Sequence, residues 1–156
     1  LERRHRFYQA TAGTYEGVMK TEQDEFRVKL TLVPSLSPLP VARIRSEDEV
    51  ASDLNALSFN IQIVQWNPKN LLSAVGCRVE NIRPDLAQGK IQIASATCPN
   101  LYLLKIGSTE AEGRDGAALA GEILDGKIGH VAKLEGFIHP TTNASVYAFS
   151  AVRRQP

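Results

Sequence analysis

The sequence predicts an all-β fold: an antiparallel barrel of about eight to ten strands, with a two-sheet sandwich as the second choice. Three observations carry that prediction. Apolar and polar residues alternate with period two over 26–32, 58–63 and 90–93, the pattern of strands with one dry face. Turn-forming residues separate these runs at spacings of about 10–15 residues, too short for helical crossovers. Helical periodicity is weak along the whole chain.

Taken in order, residues 1–12 read as a flexible basic leader, because Arg3, Arg4, His5 and Arg6 are followed by no apolar run of the kind that marks a signal peptide. Residues 14–20 and 26–33 form a hairpin through the polar link 21–25, and period two puts Phe26, Val28, Leu30 and Leu32 on one face. Pro34, Pro38 and Pro40 exclude regular helix and central strand from 34–40, since each fixes φ and lacks a donor. A short helix fits 47–57, with Val50, Leu54 and Leu57 at helical spacing, Ser46 as N-cap and Glu49 in the capping-box position. The next strand holds Phe59, Ile61 and Ile63 and stops at Asn67-Pro68-Lys69-Asn70. A turn over 85–89 leads into 90–93, and 108–116 reads as an exposed polar loop. Helix is also conceivable over 115–124, but Gly116 and Gly121 weigh against it. Asp125-Gly126 then reads as a hairpin turn between strands 118–124 and 127–138. The last strand covers 144–153.

The chain has 156 residues, and 18 Lys+Arg against 17 Asp+Glu leave a net charge of +1. That gives no bulk field for a polyanion, so nucleic acid is not an expected partner. With 43% hydrophobic and 22% charged residues, the composition suits one globular domain over 1–156. No run approaches the roughly 18 apolar residues of a membrane-spanning helix.

Two cysteines, Cys77 and Cys98, leave two readings open. Joined, they close a loop of about 20 residues, add roughly 3 kcal/mol of stability and imply an oxidising compartment. Unjoined, they are unrelated buried thiols.

Motifs for chemistry do not accumulate. Residues 121–127 fit G-x-x-x-x-G-K, but Ile128 stands where a phosphate loop needs Ser or Thr. His130 and His139 have opposite parity in an unbroken strand, so with Glu135 they do not converge on a metal. Tyr147, Phe149 and Ala151 share a face with Arg153, which reads as core filling rather than a base-stacking platform. No catalytic residue, metal or cofactor is therefore assigned. A hydrolase would draw on Asp115, Glu122, Asp125, His130 and His139.

Gly13-Thr14-Tyr15-Glu16-Gly17, the meander of alternating strands after it and a final strand ending in Arg153-Arg154 resemble the plan of small calycin or lipocalin-like barrels, including those of bacterial envelope lipoproteins. The family's Gly-x-Trp signature falls on Gly13 and Tyr15, with the aromatic changed, and its late basic residue on Arg153 or Arg154. The helix that lipocalins carry before their last strand is not visible. The resemblance implies a closed barrel with an apolar cavity, and it transfers no ligand.

The expected function is a non-enzymatic binding domain of the cell envelope, periplasmic or extracellular. Its partner is a small apolar ligand or a protein, and any membrane tether lies in a segment outside these residues. A ligand would meet Phe26, Val28, Leu30, Phe59, Ile61 and Ile63. The alternative is an assembly module that docks a protein through a sheet edge or through 34–40, where prolines pre-order the chain.

Overall fold

The computed structural model describes residues 2–21, 24–36, 57–93, 98, 100–107, 116–140 and 145–154. Eight antiparallel strands form one nearly closed barrel. They are β1 (Gly13–Lys20), β2 (Glu25–Leu36), β3 (Leu57–Asn67), β4 (Asn70–Ile82), β5 (Lys90–Ile93), β6 (Asn100–Gly107), β7 (Lys133–Pro140) and β8 (Tyr147–Arg153). Each strand pairs with its neighbour in sequence except β4 with β5, and β8 returns to pair with β1 from Tyr15↔Arg153 to Met19↔Phe149. The sheet's two edges are therefore β4 and β5, in the middle of the chain. They come together across a seam, and a disulfide joins Cys77 on β4 to Cys98, in the connection between β5 and β6.

The alternation expected from the sequence sets the interior. Cross-strand register aligns Tyr15, Leu30, Ile63 and Cys77 across β1 to β4. Val28, Leu30, Leu32, Phe59, Ile61, Ile63, Ile91, Ile93 and Leu104 are all buried, while Gln62 and Gln92 between them are exposed; Ser58, beside Phe59, is the exception and is itself buried. Burial of a large aliphatic or aromatic side chain contributes about 1.5–3 kcal/mol, so this filled interior is the main source of stability.

Four sequence expectations need correction. The leader is a helix, α1 (Glu2–Thr11). Arg4, His5 and Arg6 are exposed on it, while Phe7, Tyr8, Ala10 and Thr11 are buried against the barrel. A second helix, α2 (Gly116–Leu124), takes the place of the expected strand and lies between β6 and β7. Its glycine penalty is outweighed by burial of Leu119, Ala120 and Ile123. Gly116 also has a positive reason to be there: a Cβ on it would meet the Gln88 carbonyl oxygen at 2.7 Å.

Asp125-Gly126 is accordingly no hairpin but a Schellman stop. The Gly126 N–H donates to Ile123 O, the Lys127 N–H donates to Glu122 O, and Gly126 has φ +76°. The same letters that mimic a phosphate loop are thus a helix end. Pro34, finally, lies inside β2, opposite Phe59. It is tolerated because β1 has run out at Gly13↔Leu32, leaving β2 with β3 as its only partner there. Residues 37–40, the helix expected over 47–57 except for Leu57, which opens β3, and the loop expected over 108–116 except for Gly116, which opens α2, lie outside the described residues.

Candidate functional site

Because the strands alternate in direction, the barrel has two different ends. One end receives α1, α2 and the link from β4 to β5. The other receives the connections β1–β2, β3–β4, β5–β6 and β7–β8.

Arg153 holds the helical end shut. It stands on the inward face of β8, where Tyr147, Phe149 and Ala151 precede it, and its guanidinium lies 5.1 Å from the Tyr15 ring centre. Nε donates to Val131 O at 2.7 Å, Nη1 to Ala12 O at 2.8 Å, and Nη2 to Ala10 O and to the Tyr15 hydroxyl at 2.9 Å. The Tyr15 hydroxyl donates in turn to Thr11 O at 2.7 Å. One side chain therefore serves carbonyls at the end of α1, a strand aromatic and the chain entering β7. Burial pushes the Tyr15 phenol up to about 12, against the opposing pull of Arg153. Tyr8 adds a second tie: its hydroxyl donates to Leu57 O at 2.7 Å and its ring packs 4.5 Å from that of Phe59.

The other end holds a cavity of about 640 Å³. Met19, Phe26, Ile138 and Tyr147 form its apolar walls. Thr21, Asp24, Ser145 and Val146 belong to its rim, and Gln65 and Asn100 supply two carboxamides. Those amides are organised by Tyr102, whose side chain is buried. Its hydroxyl donates to Gln65 Oε1 at 3.1 Å, and Asn100 Nδ2 donates to Gln65 Oε1 at 3.2 Å and to the Tyr102 oxygen at 3.3 Å. Burial raises the Tyr102 phenol above its usual range, and Asn100 only partly offsets that, so the hydroxyl keeps its proton.

The residues singled out in the sequence are distributed unevenly over these two ends. Of the six proposed to meet a ligand, Phe26 lines the cavity. Val28, Leu30, Phe59, Ile61 and Ile63 lie in the packed interior, at no more than 1% exposure, and none borders the cavity. Glu122 and Asp125 sit at the end of α2, whereas His139 pairs with Leu101 near the start of β6, so the hydrolase residues are not brought together. Asp115 lies outside the described residues. His130, Glu135 and His139 are all exposed, with Glu135 paired to Lys133 at 2.7 Å. Among the described residues no group of three metal-ligating side chains converges.

Sequence reasoning missed Gln65, Asn100 and Tyr102. Gln65 carried a usable signal, since it continues the inward parity of Phe59, Ile61 and Ile63 with a polar side chain. Asn100 and Tyr102 meet Gln65 only through the closure of the barrel, which has no local signature. No family model, curated protein or solved structure matches the chain.

Proposed function

We propose that this chain is a non-enzymatic binding domain of the cell envelope, built on a lipocalin-like barrel, which holds a small ligand with an apolar body in its open end. The observation that carries the reading is the cavity of about 640 Å³ at one end of a barrel whose middle is filled and whose other end packs against α1 and α2. That volume lies within the usual range of small-molecule sites, and the described lining is half apolar and half polar, which suits a ligand with an apolar body and a polar end. Carboxamides are poor acids, bases and nucleophiles near neutral pH, so Gln65 and Asn100 favour recognition over turnover.

Two further features support the rest of the proposal. The disulfide suits an oxidising compartment, in keeping with a periplasmic or extracellular location. The lipocalin-like reading gains from the meeting of Gly13, Tyr15 and Arg153: a Cβ on Gly13 would touch Arg153 Nη1 at 2.6 Å, beside the guanidinium that packs on Tyr15.

Native mass spectrometry after gentle purification, with titration of the neutral fluorescent probe N-phenyl-1-naphthylamine, tests the proposal. Saturable uptake at a single site is expected. A bare mass with no uptake removes the ligand-binding function.

A further inference from the structure

Resting on that binding reading, we infer that the cavity selects ligands whose polar end is neutral and offers an acceptor beside a donor, as a primary amide does, over ligands that end in a carboxylate. The inference starts from the hydrogen bonds around Tyr102. Gln65 Oε1 already accepts two bonds, one from the Tyr102 hydroxyl and one from Asn100 Nδ2, which uses its acceptor capacity. The Gln65 carboxamide is thereby oriented. What remains for a ligand is the Gln65 Nε2 donor group and the Asn100 Oδ1 acceptor, neither of which bonds another group among the described residues. A donor and an acceptor on one wall are the complement of an amide and only half the complement of a carboxylate, which has no proton to offer Asn100.

Charge points the same way. The described lining contains no Lys, Arg or His, and one carboxyl side chain, that of Asp24. An anion entering here meets no counter-charge among the described lining residues, whereas a neutral amide exchanges water for the two carboxamides.

A matched series with one alkyl chain separates the possibilities: decanamide, decanoate and decylamine, each displacing N-phenyl-1-naphthylamine at pH 8. Decanamide is expected to compete at a concentration at least about tenfold below decanoate, equivalent to about 1.4 kcal/mol. Gln65→Leu is expected to reduce that preference to within about threefold, each competitor being scaled to the variant's own probe affinity, and Asn100→Ala to weaken it. Probe uptake with decanoate or decylamine the best competitor overturns the inference and leaves the binding reading standing. Failure of the wild-type chain to take up the probe overturns the binding reading, and the inference with it. An unchanged preference in a folded Gln65→Leu removes the assigned role of Gln65. If that variant does not fold, the wild-type series still decides.

Discussion

The two ends of this barrel use polar groups in opposite ways. At the helical end, Arg153 spends its donors on the chain itself, on Ala10, Ala12, Val131 and Tyr15. At the open end, Tyr102 and Asn100 fill only the oxygen of Gln65 and leave an amide donor and an amide acceptor at a cavity. A saturated network closes and stiffens a structure. A partly saturated one beside empty volume is a place for something else to bind. Stability should therefore depend on the first end and recognition on the second, and substitutions can separate them.

The largest effect is expected at Arg153. Arg153→Ala strips hydrogen bonds from three main-chain carbonyls and Tyr15 at once, and should lower stability by about 4 kcal/mol in chemical denaturation. Loss below about 1 kcal/mol would mean that water replaces the guanidinium and that the end is not held by this residue.

The seam comes next. Cys77 and Cys98 are separated by 21 positions and tie the two sheet edges, so replacing both with Ser should cost about 3 kcal/mol. Equal midpoints with and without reductant, confirmed by intact mass after alkylation, would show that the tie is not needed.

Alkaline titration gives a third, smaller test of the closed end. The folded Tyr15 phenol is raised from 10.0 to about 12. Below pH 10 both the folded and unfolded chains hold this proton, and its contribution is fully present. Between pH 10 and 12 the unfolded chain releases the proton and the folded chain keeps it, so stability falls by about 1.4 kcal/mol per pH unit. Tyr8 and Tyr102 are shifted in the same direction by burial and add to the slope. Tyr15→Phe should flatten the decline even though it also lowers stability at neutral pH. A profile unchanged by that substitution would contradict the environment assigned to Tyr15.

The smallest effect on stability is expected at the cavity. Gln65→Leu removes a half-buried amide that accepts from Tyr102 and Asn100, and should lower stability by about 1 kcal/mol. A loss as large as that of Arg153→Ala would erase the contrast between the ends and make the Tyr102 network structural.

The barrel was legible in the sequence, but the contrast between its ends was not. Period-two alternation located the strands and their inward faces, because burial of one face is itself a local pattern. The helices were not legible, for two different reasons. In α1 the cluster of Arg4, His5 and Arg6 dominated a short segment whose apolar positions are few, so its buried residues stood out only against the barrel. In α2 the intrinsic cost of Gly116 and Gly121 spoke for loop or strand, and tertiary packing of Leu119 and Ile123 overrode it. The cavity was legible only in part. Phe26 and Gln65 announce themselves by parity, but Gln65 and Asn100 are 35 positions apart and meet only when the barrel curls. The deeper apolar residues on the same face were equally eligible on the sequence, and only packing distinguishes the filled middle from the empty end.

The separation of the two ends is tested most directly by following backbone amide resonances while decanamide is added. Binding at the open end predicts saturable shifts at Met19, Phe26, Gln65, Asn100 and Ile138, with Arg4–Ala10 and Leu119–Ile123 unmoved. Shifts centred on the helices, or none at concentrations that displace the fluorescent probe, would contradict it.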